Sequence, residues 1–220
     1  MLALSGTWAI VITALLAYAL GLVMGGMVMT ALKGGADLRN TGSGNVGATN
    51  ALRTRGKGFA AGVLLIDVAK GVIAVWVLPR LITDEATLQS LLAYVAGAAV
   101  TVGHCYPAPY GFRGGKGVAT LAGVFAVLLP AALPLVLGGF ALVVILSGYV
   151  SLATLTACAL AVLHVACFDA AGLGSARGAF VSAMVVLVVW KHRSNLRNLV
   201  AGRESRFENA RIVHRLFRRP

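Results

Sequence analysis

The chain has 220 residues, 59% of them hydrophobic and only 12% charged, with a mean hydropathy of +0.87. Soluble domains carry about 25% charged residues, so this composition excludes an ordinary water-soluble fold and points to an all-α integral membrane protein. The net charge of +12 comes without a nucleic-acid recognition motif, which removes nucleic acid as a partner and leaves the positive-inside rule as its main cause.

Crossing the hydrocarbon core takes about 20 apolar helical residues. Seven stretches are expected to do so: 5–30, 59–79, 88–106, 117–132, 133–148, 150–168 and 176–191. The run at Met1 lacks a basic n-region and a small-residue cleavage site, so it reads as a retained first span and not a signal peptide. Small-residue stretches such as Gly21–Gly26 and Gly97–Ala99 are expected to let helices pack closely. Asp67 and Lys70 lie inside the second stretch at i, i+3, where charge is costly. Two readings fit them: a mutual ion pair facing the bundle, or support for a functional site. Cys105, Cys158 and Cys167 have no metal-ligand spacing and read as small buried hydrophobes.

Charge sets the orientation. Segment 31–58 carries Lys33, Arg39, Arg53, Arg55 and Lys57; the 107–117 loop adds Arg113 and Lys116; the stretch after 190 has Lys191 and eight arginines. The alternate loops hold only Arg80 and Arg177. With seven spans the N-terminus is expected outside, the C-terminus in the cytoplasm and all three basic segments on the cytoplasmic face. No linker, long charged run or repeat divides the chain, so one transmembrane domain is expected over 1–204, with a basic interfacial tail over 205–220.

Three polar segments interrupt the apolar sequence. Thr41–Asn50, followed by Arg53 and Arg55, alternates glycine with small hydroxyl and amide residues, so its donors can converge on an anion. The second runs from Gly103-His104 to Lys116-Gly117 and has four glycines in its last seven residues. It fails the Walker A pattern, which needs Gly where Tyr110 stands and Ser or Thr where Gly117 stands. What remains is a Gly-rich cradle with one lysine as a point charge, suited to phosphate. The third is His192-Arg193-Ser194-Asn195, with Gly202 and Glu204 beyond it.

Together these segments resemble the bacterial acyl-phosphate:glycerol-3-phosphate acyltransferase family, the PlsY family. Its signature stretches look like Ser-Gly-Asn-x-Gly-Ala-Thr-Asn with a following Arg, Gly-His-x-x-Pro leading into Phe-x-Gly-Gly-Lys-Gly-Val-Ala-Thr, and His-Arg-x-Asn. Here they are Ser43–Asn50 with Arg53, Gly103–Thr120, and His192–Asn195 with Gly202 and Glu204. One departure is Asn198, where the family pattern has arginine.

The resemblance implies a seven-helix enzyme of the bacterial inner membrane. It would move an acyl group from acyl-phosphate to the sn-1 hydroxyl of glycerol 3-phosphate, releasing inorganic phosphate. No cofactor or metal is implied, and the enzyme is expected to act as a monomer among membrane lipids. Ser43, Arg53, Lys116, His192 and Asn195 are the expected catalytic residues. Asn45, Thr49, Asn50, His104, Gly114, Gly115, Gly117, Arg193 and Glu204 are the expected substrate-binding residues. The base is either His192 or the acceptor's own phosphate.

One decoy competes. His164 and Asp169 match the His-x4-Asp spacing of acyl-CoA-dependent acyltransferases, but they fall at the end of the sixth stretch, on the expected outer side. An anion channel would need polar positions through the spans, and a non-enzymatic interaction protein leaves the Gly-Lys loop unexplained.

Overall fold

The structure, a computed structural model, describes residues 6–207, and every regular element in that range is helical. The chain divides into two compact units, 1–130 and 131–220.

In the first unit, α1 (Gly6–Gly21) and α2 (Gly25–Lys33) are followed by a polar loop, α3 (Ala48–Arg55), α4 (Lys57–Trp76), α5 (Leu78–Ile82) and α6 (Ala86–Cys105). The Gly-rich segment then leads into α7 (Val118–Leu128). The second unit holds α8 (Leu133–Ser147), α9 (Val150–Phe168), α10 (Ala176–Lys191) and α11 (Arg193–Val200).

All seven apolar stretches contain helix, but they are not seven uniform spans. Four segments are continuous, long and apolar enough to cross a membrane: Lys57–Ile82, Ala86–Tyr110, Pro130–Ser147 and Val150–Phe168. The first stretch qualifies only as α1 and α2 together, bent by 43°. α7 has 11 residues, a rise of about 16 Å against a core of about 30 Å. It stops at Leu128 because Pro130 disfavours helical geometry in the residue before it. α10, at 16 residues, rises about 24 Å.

The bend in the first stretch has a chemical cause. The break between Gly21 and Gly25 leaves helix-end carbonyls and N–H groups without partners in their own helices, in apolar surroundings. Lys70 Nζ donates to Gly21 O at 3.2 Å and Val23 O at 2.9 Å, while Gly25 N donates to Asp67 Oδ1 at 3.0 Å. Lys70 and Asp67 are themselves paired at 2.9 Å, both almost fully buried. A cation thus faces the C-terminus of α1 and an anion the N-terminus of α2, each complementing the local helix dipole. The expected ion pair exists, and it also bridges a broken helix.

Close backbone approach assembles this unit. A Cβ on Gly103 would strike Tyr18 O, one on Gly71 would strike Thr120 O, and one on Gly123 would strike Val68 O. Hence α1 lies directly against α6, and α4 against α7, as small residues permit where lipid supplies no hydrophobic drive between helices. Met29, Leu38, Ala51, Phe59, Ala60 and Val63 form a buried cluster beneath the first polar loop. In the second unit α8 packs on α9 but has no buried residue, and Leu137, Leu142 and Leu146 are exposed. An all-apolar exposed helix suits a hydrocarbon solvent.

Gly123→Val should therefore lower stability by about 1–3 kcal/mol, as overpacking does. Thermal unfolding of the purified protein in detergent, compared with wild type, measures it.

Candidate active site

The first polar loop is organised from within. Asn50, in the first turn of α3 and 2% exposed, uses its amide nitrogen for three carbonyls: Leu38 O at 3.1 Å, Thr41 O at 2.9 Å and Asn45 O at 2.9 Å. Its Oδ1 accepts from Ser43 N at 2.9 Å. A side chain so engaged shapes the loop and leaves neighbouring groups to face outward. Gly42 has φ of +56° and a Cβ there would strike Asn50 Oδ1, so this turn needs glycine on both counts. Ser43 is exposed, Asn45 and Thr49 are half-buried, and Arg53 is exposed on α3. Asn45 Oδ1 accepts from Gly47 N at 3.2 Å.

Two arginines outside the expected set brace this loop. Arg55 donates to Ala36 O at 3.0 Å and to Gly34 O, with its guanidinium 4.3 Å from the Phe59 ring centroid. Asp37 pairs with Arg39 at 2.6 Å, and Arg39 lies over the Tyr110 ring at 5.3 Å. That stacking brings the first and second polar segments together. The hydrogen-bonded Arg39 guanidinium holds the Asp37 carboxyl below its ordinary range, and Asp37 in turn raises Arg39. An acid and a base two residues apart, just after a span, were the available sequence signal.

The second segment starts at buried His104 near the end of α6. Lys70 Nζ lies 2.7 Å from His104 Nδ1, and Gly115 N donates to His104 O at 3.1 Å. A Cβ on Gly114 would strike His104 O, and one on Gly115 would strike His104 Nε2. The Gly-rich backbone therefore rests on this histidine. Phe112 has φ of +60°, an uncommon value for a non-glycine residue, marking strain in the loop. Gly117, at φ +79°, precedes the first residue of α7, so the loop, apart from the Gly115 N–H already given to His104, brings backbone N–H groups to a helix N-terminus beside half-buried Lys116.

The third segment belongs to the second unit. His192 is 3% exposed and its Nδ1 lies 2.8 Å from Val188 O. A carbonyl only accepts, so Nδ1 carries the hydrogen and, in the neutral ring, Nε2 holds the lone pair. Glu204 Oε1 accepts from Asn195 Nδ2 at 2.7 Å and from Ser151 Oγ at 2.8 Å. Glu204 thus fixes Asn195 and ties the segment after α11 to α9; Ser151 was not foreseen. Arg193 is exposed, with its guanidinium 4.9 Å from the Trp190 ring centroid. Arg206 stacks on Tyr149 at 4.5 Å and Phe207 N donates to Gly148 O at 2.9 Å. Of the expected basic tail, residues 208–220 lie outside the described residues.

The decoy pair is occupied elsewhere. His164 stacks on Phe168 with ring centroids 5.0 Å apart, and Asp169 pairs with Arg177 at 3.0 Å. Among the described residues no group of three His, Cys, Asp or Glu side chains is placed to hold a metal ion.

A family profile described as glycerol-3-phosphate acyltransferase matches residues 11–202. The chain belongs to the glycerol-3-phosphate acyltransferase family. The glycerol-3-phosphate acyltransferase of Jannaschia sp. (strain CCS1) is 41% identical over 193 residues, covering 88% of this chain and 90% of that protein. That of Pseudomonas putida (strain KT2440) is 41% identical over 195 residues, covering 88% and 97%. The fold matches the crystal structure of PlsY (YgiH), described as an integral membrane glycerol 3-phosphate acyltransferase, in its glycerol 3-phosphate form. That match has a TM-score of 0.80 and 34% identity, over 95% of this chain and 99% of that one. The lysophosphatidic acid form of the same protein matches with a TM-score of 0.80 and 32% identity, over 93% and 98%. Family membership includes a membrane-embedded helical fold and a place in phospholipid biosynthesis.

The Asp37 carboxyl sits below its ordinary value of 3.8 in the folded protein. Its stabilising contribution is therefore full above that value and disappears as pH falls through the lower folded one. Asp37→Asn should flatten the loss of stability below about pH 4, read from thermal unfolding across an acid series; an unchanged acid slope would show that Asp37 is not the group responsible.

Proposed function

We propose that this chain transfers an acyl group from acyl-phosphate to the sn-1 hydroxyl of glycerol 3-phosphate, yielding 1-acyl-glycerol 3-phosphate and inorganic phosphate. The observation that carries this reading is a fold shared over 95% of the chain with a protein solved in a glycerol 3-phosphate form. A second form of that protein, with lysophosphatidic acid, supplies the acylated product. The enzyme works as a monomer in the bacterial inner membrane, with seven crossings, its N-terminus outside and its catalytic groups on the cytoplasmic face. Residues 1–204 make the catalytic domain and 205–220 a basic interfacial tail. The three basic segments support that orientation, since they alternate with loops that hold only Arg80 and Arg177.

Both substrates carry phosphate. The backbone N–H groups of Gly114 and Gly117, with Lys116, hold one phosphate at the start of α7, while Gly115, whose N–H goes to His104 O, lets the loop lie close against that histidine; Arg53 and Arg193 supply further cationic charge. Ser43, Asn45 and Thr49 donate hydrogen bonds from the first loop. Asn50, with both ends of its amide engaged within the protein, and Glu204, through the Oε1 that accepts from Asn195 and Ser151, act through the residues they hold.

In the reaction the sn-1 oxygen attacks the acyl carbon and forms the ester bond. The carbon–oxygen bond to phosphate breaks, and phosphate leaves with the electron pair. An acyl-phosphate is a mixed anhydride, so positioning and charge neutralisation supply most of what the step needs. Two bases are available for the hydroxyl proton: His192, which presents Nε2 as its lone-pair nitrogen, and the acceptor's own phosphate. Asn195, steadied by Glu204, orients the reacting groups.

Purified protein in detergent should release phosphate from palmitoyl-phosphate only when glycerol 3-phosphate is added. Release of CoA from palmitoyl-CoA instead would overturn the donor assignment. Lys116→Ala should lower turnover by about 10²-fold or more, as loss of a charge on a transferring group does, while unfolding at a wild-type temperature. Near-normal turnover in that variant would remove Lys116 from the site.

A further inference from the structure

We infer that Lys70, backed by Asp67, is a positioning residue that fixes the tautomer of His104 and thereby aims an Nε2–H donor at the Gly-rich loop for a phosphate-bearing substrate. This rests on the phosphate-binding role proposed above for that loop.

An ammonium has donors and no acceptor. With Lys70 Nζ 2.7 Å from His104 Nδ1, Nδ1 is the accepting nitrogen, so in the neutral ring the hydrogen resides on Nε2. The other group near Nδ1, Asp67 Oδ1, is farther away at 3.5 Å and is itself held by Lys70 and by Gly25 N, so the ammonium is the nearer partner of this nitrogen. Lys70 cannot swing aside. Its ammonium shares three hydrogens among four surrounding acceptors, Gly21 O, Val23 O, Asp67 Oδ1 and His104 Nδ1, and its side chain is 3% exposed.

The opposite edge of the ring meets the loop. Nε2 occupies the space where a Gly115 side chain would go, and Gly115 N donates back to His104 O at 3.1 Å. Ring and loop are therefore in fixed register. In the reverse tautomer the same edge would present a lone pair, which repels an anion. His192 shows the contrast, since its Nδ1 is held by a carbonyl acceptor and its Nε2 is the basic nitrogen. The two buried histidines of the signature segments are thus set to opposite chemistry by what touches Nδ1.

The test is a double-mutant cycle combined with spectroscopy. KM and kcat are measured separately for glycerol 3-phosphate and for palmitoyl-phosphate. Lys70→Met should raise KM for one of the two by about tenfold, the effect of one hydrogen bond to a charged group, with kcat changed much less. Which KM rises names the phosphate bound at the loop; a rise in neither overturns the inference. His104→Gln keeps an N–H near the Nε2 position without needing a tautomer. In that background Lys70→Met should add little, whereas fully additive effects would mean that Lys70 only braces the helix break.

Nitrogen NMR of histidine-labelled protein gives an independent reading, with the His104 signals assigned by their loss in His104→Gln. Wild type should show the Nε2–H form, and Lys70→Met a mixture. An Nδ1–H or doubly protonated ring in wild type would overturn the inference even if Lys70→Met does not fold. A wild-type protein without acyl transfer would instead overturn the proposed function, with the tautomer still measured.

Discussion

An ion pair buried in an apolar helix bundle is the constraint on which the first unit depends. Either charge alone at the centre of a membrane helix costs about 2.5–3.5 kcal/mol on insertion scales. Asp67 and Lys70 avoid standing alone by facing each other at 2.9 Å and by satisfying the broken backbone between α1 and α2. The helix can break there only because these side chains replace its missing hydrogen bonds, and the pair can stay buried only because the break supplies polar partners. Each feature makes the other tolerable. The same ammonium reaches His104, so the arrangement extends from the α1–α2 corner to the base of the Gly-rich loop.

The signature residues divide into those that face outward and those that hold others in place. Asn50 and Glu204 belong to the second kind: both ends of the Asn50 amide are engaged within the protein, and Glu204 Oε1 accepts from both Asn195 and Ser151. Ser43, Arg53 and Lys116 lie at exposed or half-buried positions. Such a division suits an anion site at an interface: fixed donors avoid the reorganisation that water would otherwise require. The bracing arginines add to it, with Arg55 tied to the carbonyls of the 34–36 segment and Arg39 joining the first two polar segments through Tyr110.

Much of this was legible from residue order. The apolar stretches, the three polar segments and the Asp67–Lys70 spacing could all be read directly, and each apolar stretch contains helix. The span lengths could not be read as safely. The stretch 5–30 looks continuous in hydropathy, yet it breaks at 22–24 because partners 40 residues or more distant supply its hydrogen bonds. The stretch 117–132 contains a helix of only 11 residues, which ends ahead of Pro130 although the apolar character runs on past it. Ser151 carried no signal at all, being one hydroxyl in an apolar helix until Glu204 meets it.

By itself, the sequence determined the solvent, the class of elements and the chemistry on offer. Composition decides whether a chain can live in water, and glycine, lysine and histidine types decide which ligands a loop can hold. Only the tertiary structure decided which nitrogen of each histidine is the donor. That choice depends on whether an ammonium or a carbonyl lies beside Nδ1: for His104 an ammonium from α4, 34 residues away, and for His192 a carbonyl of its own helix. A tautomer is a property of a contact, and contacts between distant residues exist only once the chain has folded.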